Sequence, residues 1–168
     1  MNAGVIIREA RAGDAVAIVP LMRALACAHI DSDASRYSEL ARACVAYQAA
    51  LGGQGGQGGQ GADARDLLWL VALVEERVCG YLLAEHVRSD DLIWSPEHVC
   101  VHDIIVELPV RSRGIARMLM DHAVAWARSK GVRQVRLFTD RGNHGARTAF
   151  SRLGFRETMV EMTIDLPA

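Results

Sequence analysis

The stretch VRSRGIARMLM, residues 110–120, joins two arginines and a glycine to an apolar run with helical spacing. This pattern predicts a turn over Leu108–Arg113 that leads into a helix. The first turn of a helix has backbone N–H groups without partners in the chain, and its dipole end is positive. An anion placed there meets several donors at once. The candidate donors are the N–H groups of Ser112, Arg113, Gly114, Ile115 and Ala116.

The side chains of the same turn suit a phosphate. Gly114 and the small Ala116 would let a phosphate approach the backbone closely. Arg111 and Arg113 would add charge-assisted hydrogen bonds, and Arg117 lies one step further along. Neither the Gly-x-Gly-x-x-Gly fingerprint nor a P-loop is present in this turn. On these residues alone, arginines at a solvated helix start explain the pattern equally well.

Composition narrows the class of protein. The 168 residues are 51% hydrophobic with a formal net charge of -1, which predicts one globular domain over residues 1–168. No global basic field favours nucleic acid or a membrane surface, and no run of about 18 apolar residues predicts a membrane span. The four cysteines are widely spaced, which predicts reduced thiols and no metal site. We expect a cytoplasmic protein.

Periodicity and turn residues predict the order β α α β β β α β α β. The first half should contain a strand at Val5–Ala10, a helix capped by Asp14 that starts late or bends at Pro20, a helix at 35–51, a flexible Gly/Gln-rich insert at 52–61 and a hairpin at Leu67–Val87. The second half should contain a strand at His98–Leu108, a helix from Ile115 to Lys130, a strand at Val132–Thr139, a helix from Asn143 to Gly154 and a strand at Phe155–Asp165. The β-α-β units near the end indicate an α/β (α+β) class with a mixed sheet and helices on both faces.

One face of the helix after the phosphate turn is predicted to be apolar. Its members are Ile115, Met118, Leu119, His122, Ala123 and Trp126. Lys130-Gly131 should end this helix, because a cation suits the last turn and glycine tolerates a positive φ.

Two segments of the chain resemble a known family. Arg111-Ser-Arg-Gly114-Ile-Ala116 resembles the Arg/Gln-x-x-Gly-x-Gly/Ala element with which the GCN5-related N-acetyltransferases (GNAT) hold the pyrophosphate of acetyl-coenzyme A. Further on, NHGARTAFSRLGF is similar to a later element of the same family. Asn143, Ala146, Phe150, Gly154 and Phe155 match it. The resemblance is sharp from His102 to Phe155.

The resemblance implies a fold and a reaction. The expected sheet is mostly antiparallel with six to seven strands, and it is splayed at the centre where the strand matching Ile104-Ile105-Val106 leaves its neighbour. The expected reaction transfers acetyl from acetyl-CoA, without a metal, to the amine of a small molecule or peptide. Val106 would supply the N–H donor to the oxyanion. The coenzyme would also contact Ile104, Ile105, the 111–117 turn, Asn143, Ala146 and Phe150, and homodimers are frequent in the family.

A base is required, because an alkyl amine with a pKa near ~10 is mostly protonated at neutral pH. Relatives that acetylate polyamines carry a carboxylate at the position of His102, and an imidazole can accept a proton there. Glu107 is the other candidate base. Strand alternation predicts that Asp103 points to the opposite face from His102. Alternatively, His102 has only a structural role, and its ring nitrogens make hydrogen bonds within the protein.

Phe150 departs from the family pattern. Many relatives have at this position a tyrosine that protonates the leaving thiolate, and phenylalanine has no hydroxyl. An alternative function is therefore a catalytically weak or inactive domain that binds acyl-CoA as a sensor. Phe150 is also expected to pack against Phe155 in a helix cap in which Gly154 takes a positive φ.

Overall fold

The computed structural model describes residues 4–32, 66–89 and 95–164. The predicted helix at 35–51 and the insert at 52–61 lie outside the described residues. The chain divides into two compact units, Met1–Phe138 and Thr139–Ala168. The first unit contains β1 (Val5–Glu9), α1 (Ala15–Ser32), β2 (Asp66–Val74), β3 (Arg77–Val87), β4 (His98–Val106), α2 (Ile115–Ser129) and β5 (Val135–Leu137), and the second contains α3 (His144–Arg152). The predicted α/β class is confirmed.

The described strands form one sheet in the order β1-β2-β3-β4-β5. The first three pairings are antiparallel, and β4 pairs with β5 in parallel across the β4–α2–β5 connection. Five strands are therefore described, where six to seven were expected. The predicted strand at Phe155–Asp165 is wrong over residues 155–164, which adopt no regular secondary structure. Alternation alone does not form a strand, because each backbone group also needs a hydrogen-bonding partner.

Strands β2 and β3 form a hairpin, which confirms the hairpin predicted at Leu67–Val87. Glu75 and Glu76 form its turn with φ of 51° and 63°, the positive values that a two-residue turn needs to match the twist of the strands. Side chains on both faces of these strands are buried, among them Leu70, Val71 and Leu82. Both faces of the sheet are therefore covered along β2 and β3.

Helix α1 covers one face of the sheet. Ile18, Leu21 and Met22 are buried in a cluster with Tyr81 and Ile105 of β3 and β4. The segment Ala12–His29 has a mean hydropathy of 1.2, which by length and composition alone would suit a membrane span. In this structure one apolar side of the helix packs on the sheet, which is typical of a helix that belongs to the core of a globular domain.

The start of α1 differs from its prediction. The helix begins at Ala15 and continues through Pro20, so the expected late start is wrong. Asp14 lies in a 3-10 turn before it. The Asp14 carboxylate accepts the backbone N–H of Arg11 at 2.7 Å and a guanidinium N–H of Arg8 at 2.6 Å. The salt bridge to Arg8 ties this turn to β1.

Helix α2 contacts β1 to β4. Its buried residues are Ile115, Leu119, Met120, Ala123 and Ala127. The predicted inclusion of His122 in the apolar face is wrong, since that side chain is exposed and bonds to the carbonyl of Met118. Gly131 follows the helix with φ 76°, which confirms the predicted stop.

Candidate active site

The sheet opens between β4 and β5. Their pairing comprises three residue pairs and ends at Val101 and Leu137. Strand β4 continues to Val106, and among the described residues no strand pairs with this part of its β5-facing edge. β5 is shorter than the predicted Val132–Thr139, and it therefore leaves residues 102–106 with an open edge.

The register of β3 and β4 identifies the backbone groups that face this open edge. Val106 lies opposite Gly80, and the N–H of Glu107 donates to the carbonyl of Cys79 at 2.8 Å. The pair of Val106 and Gly80 is therefore a non-hydrogen-bonded pair, in which the backbone groups point away from the partner strand. By alternation, the N–H groups of Val106 and Ile104 both face the opening.

A tight turn carries the chain from β4 into α2. Ser112 and Gly114 have φ of 64° and 75° with Arg113 between them at a negative φ. This alternation directs successive N–H groups toward one concave side, an arrangement that binds anions. Gly114 is the N-cap and has no side chain to bond the helix start. The first backbone bond of α2 is that of Met118 to the Gly114 carbonyl, so the N–H groups of Ile115 and Ala116 precede the helical ladder.

Arg111 connects this turn to the open edge of β4. Its Nε donates to the carbonyl of Val106 at 2.8 Å. This bond fixes the peptide plane at the end of β4, and it leaves Nη1 and Nη2 as the groups that a phosphate would meet. Arg113 and Arg117 are exposed beside it.

A β-bulge in β4 changes the face on which Asp103 lies. Leu83 pairs with Asp103 and Ala84 pairs with Val101, so His102 is an extra residue without an opposite partner. Such a bulge lets two consecutive side chains lie on the same face. His102 reaches Glu85 and Asp103 reaches Tyr81, and Tyr81 and Glu85 are on one face of β3. The predicted opposite orientation of Asp103 is therefore wrong.

Asp103 is a second titratable group beside His102. The Tyr81 hydroxyl donates to its Oδ2 at 3.1 Å. Burial raises the pKa of the Asp103 carboxyl, and the hydrogen bond from Tyr81 opposes that shift without cancelling it. A carboxyl that holds its proton unusually tightly next to an opened strand is typical of a functional site.

The raised pKa of Asp103 predicts a pH-dependent effect of Asp103→Asn. Between the ordinary pKa of 3.8 and the raised value, the native state binds more protons than the unfolded state, so stability falls as the pH rises through this window. We expect Asp103→Asn to raise the melting temperature at pH 7 and to leave it nearly unchanged at pH 3.5.

Asp14→Asn is the matched control for this effect. The hydrogen bond from Arg8 lowers the pKa of Asp14, so that carboxylate stabilises the native state above its ordinary pKa and loses this effect as the pH falls. Asp14→Asn should therefore lower the melting temperature at pH 7. A difference for Asp103→Asn that is the same at both pH values would contradict the assignment.

Glu107, the other predicted base, is held in an ion pair. Its two carboxylate oxygens lie 2.6 and 2.9 Å from Nη1 of Arg77.

Gly80 in the adjacent strand is a residue that the sequence interpretation did not identify. A Cβ on Gly80 would lie 2.7 Å from the carbonyl oxygen of Ile105. This glycine therefore permits the close approach of β3 to the end of β4, and its position inside an apolar strand was the available signal.

Three further residues predicted to contact the coenzyme lie in the second unit, namely Asn143, Ala146 and Phe150. Asn143 Oδ1 accepts the N–H of Ala146 at 3.0 Å, so this side chain caps α3. The N–H of Phe155 donates to the carbonyl of Phe150 at 3.1 Å, and Gly154 has φ 94°. The two phenyl rings lie 5.9 Å apart in an edge-to-face contact. The predicted cap with Phe150 against Phe155 is confirmed.

Comparisons with known proteins agree with this geometry. The family model described as the acetyltransferase (GNAT) family matches residues 30–155. A segment of 60 residues, 36% of this chain, is 38% identical to an uncharacterized N-acetyltransferase of Methanocaldococcus jannaschii, and it spans only 26% of that protein.

Solved structures share the fold at low sequence identity. A tetramutant of the BH1408 protein of Bacillus halodurans superposes with a TM-score of 0.78 at 22% identity, over 96% of this chain and 99% of that one. The aminoglycoside N-acetyltransferase AAC(6')-Iy in complex with CoA superposes with a TM-score of 0.70 at 20% identity, over 98% and 95%. The PaiA N-acetyltransferase of Thermoplasma acidophilum in complex with coenzyme A gives 0.72 at 15% identity, over 94% and 93%.

Proposed function

This chain belongs to the GNAT family of acetyltransferases, and we propose that it transfers the acetyl group of acetyl-CoA directly to the amine of a small molecule or a peptide. One observation carries the proposal. The open edge of β4 ends at Val106, and the chain then leads into the N-terminus of α2, whose first turn has no side-chain cap. A single elongated ligand with an acyl group at one end and a diphosphate at the other fits both features.

The diphosphate binds at the turn. The N–H groups of Ser112, Gly114, Ile115 and Ala116 act as donors, and the positive end of the helix dipole adds to their effect. The guanidinium groups of Arg111 and Arg113 contribute charge-assisted hydrogen bonds. The two positive φ values in the turn support this assignment, because they aim the N–H groups at one point.

The pantetheine arm lies along the open edge of β4. An extended chain with amide groups adds to an exposed strand edge as another strand would. Ile104 offers an N–H and a carbonyl on this side, while Ile105 holds the strand through its buried side chain. Ala146 and Phe150 stay predicted contacts of the coenzyme. Asn143, whose Oδ1 caps α3, also stays a predicted contact.

The thioester carbonyl lies at Val106. As the amine nitrogen attacks, the carbonyl oxygen gains negative charge, and the N–H of Val106 stabilises that charge because it is already in place. The new C–N bond forms, the C–S bond breaks, and the electron pair leaves on the sulfur of coenzyme A. One proton passes from the nitrogen to a base, and the thiolate takes up a proton from solvent.

His102 is the proposed base. It lies four residues before Val106, or about 13 Å along the strand at ~3.3 Å per residue. The proton would cross this distance to the imidazole through water. The imidazole is partly exposed, with a side-chain accessibility of 32%, so solvent can carry the proton away. Asp103 lies on the same face and is the alternative base.

Phe150 supports a second candidate function. Its ring packs against Phe155, and it has no hydroxyl to protonate the thiolate. A coenzyme A thiol similar to cysteine, with a pKa near ~8.5, leaves acceptably without an acid. A domain that binds acetyl-CoA without turnover is nevertheless the alternative.

An acetylation screen tests the proposal. The protein is incubated with acetyl-CoA and a panel of amines that includes polyamines, aminoglycosides, amino acids and peptide N-termini, and release of the thiol is measured. Calorimetry measures acetyl-CoA binding in parallel. Acetylated product supports the enzyme. Tight binding without product for any amine favours the sensor, and the absence of binding contradicts both functions.

A further inference from the structure

We propose that Glu85 is a positioning residue for His102, an inference that rests on the proposed function. The Nε2 atom of His102 lies 2.8 Å from Oε2 of Glu85. The Glu85 side chain is 18% accessible. Glu85 lies on the adjacent strand β3, and only the bulge at His102 brings the imidazole to its face. The contact therefore depends on this irregularity in β4.

The contact selects one form of the imidazole. A carboxylate only accepts hydrogen bonds, so a neutral His102 must carry its proton on Nε2 to satisfy Glu85. The Nδ1 atom then has its lone pair available as an acceptor. Glu85 thus fixes the ring orientation and makes Nδ1 the atom that receives the proton of the amine or of a bridging water. The carboxylate also stabilises the imidazolium that forms.

Other groups face this pair from each neighbouring element. Asp103 of β4 lies beside His102, with Tyr81 of β3 bonded to it. His29 of α1 interacts electrostatically with Asp103, and Arg136 of β5 faces Cys100 next to Glu85. Asp103 also interacts electrostatically with His102, but its carboxylate accepts its described hydrogen bond from Tyr81. The structure shows a hydrogen bond between the imidazole and the carboxylate of Glu85, and this bond orients the ring.

Glu85→Gln tests the proposal. Glutamine has nearly the same shape, but its amide can donate as well as accept, so the tautomer of His102 is no longer selected. We expect kcat/KM for the amine to fall about 10- to 100-fold, while KM for acetyl-CoA stays within twofold. Nitrogen-15 NMR of His102 should show the Nε2–H tautomer in the unaltered protein and a mixture of tautomers in the variant.

The chain offers a matched control. Glu97 lies 2.8 Å from Nε2 of His86, and the His86 ring contacts Trp126 of α2, away from the bulge. No described residue makes a hydrogen bond to Nε2 of His86, but Glu97→Gln removes the same charge from beside a histidine outside the proposed site, and kcat/KM should stay within twofold. His102→Gln defines the rate without the imidazole. Adding Glu85→Gln to His102→Gln should cost nothing further, because Glu85 acts through His102.

Two results would overturn the proposal: an Nδ1–H tautomer of His102 in the unaltered protein, or a Glu85→Gln variant that is folded and keeps kcat/KM within twofold. A variant that loses its fold is replaced by Glu85→Asp, which keeps the charge and should retain the tautomer and part of the rate. If no amine is acetylated, the proposed function fails, and the NMR tautomer still decides whether Glu85 positions His102.

Discussion

Gly114→Asp should reduce kcat/KM for acetyl-CoA about 100- to 1,000-fold. Gly114 is the N-cap of α2 with φ 75° and has no side chain over the first turn. An aspartate there bonds the N–H groups of the helix start itself, since aspartate is a preferred N-cap. Its negative charge also repels the diphosphate. Loss of two charge-assisted hydrogen bonds of about 1.5–3 kcal/mol each accounts for an effect of this size.

Gly131→Asp is the matched control. Gly131 has nearly the same φ, 76°, but lies after the last turn of α2. Both substitutions place an aspartate in the left-handed region, which costs stability in each, and the negative end of the helix dipole adds to the cost at Gly131, so Gly131→Asp should lower the melting temperature at least as much as Gly114→Asp. Only Gly114→Asp should weaken acetyl-CoA binding in calorimetry. Equal affinities for the two variants would exclude the turn as the diphosphate site.

Replacement of the amide of Val106 by an ester should lower kcat about 100- to 1,000-fold. The ester, introduced with the α-hydroxy analogue of valine, removes one N–H and leaves the side chain in place. That N–H faces the open edge and bonds to no described strand, so the sheet loses no hydrogen bond. Removal of one oxyanion donor costs about 2.7–4 kcal/mol of transition-state stabilisation. KM for acetyl-CoA should change little.

An ester at Ile104 distinguishes catalysis from binding. The N–H of Ile104 faces the same edge but is expected to bond the pantetheine arm, so its loss should raise KM for acetyl-CoA more than it lowers kcat. The two esters together separate the oxyanion donor from the strand-like pairing. A Val106 ester that keeps kcat within threefold would show that the acyl group is stabilised elsewhere.

The elements that the sequence predicted correctly depend on local patterns. The β2–β3 hairpin follows from two apolar runs around Glu75-Glu76-Arg77, and the cap of α3 follows from Asn143 and Gly154 at fixed spacing. The strand predicted at Phe155–Asp165 shows the limit of that approach. Its alternation is present in the sequence, but a strand also requires a partner with which to form hydrogen bonds.

The features of the candidate site also differ in whether a local sequence pattern predicts them. The phosphate turn could be predicted because its arginines, glycine and helix start are contiguous in the chain. The side of the sheet on which Asp103 lies could not be predicted, because it depends on the register between β3 and β4. One extra residue at His102 reverses the alternation of the side chains that follow. The pairing of Glu85 with His102 joins residues 17 positions apart, and no local pattern indicates it.

A crystal structure of the protein with acetyl-CoA would show whether the turn before α2 binds the diphosphate and whether Val106 faces the acetyl group. We expect diphosphate oxygens about 2.7–3.2 Å from the nitrogen atoms of Gly114, Ile115 and Ala116, with the acetyl carbonyl pointing at the N–H of Val106. Coenzyme bound at another surface, or a diphosphate that contacts arginine side chains without those N–H groups, would contradict it.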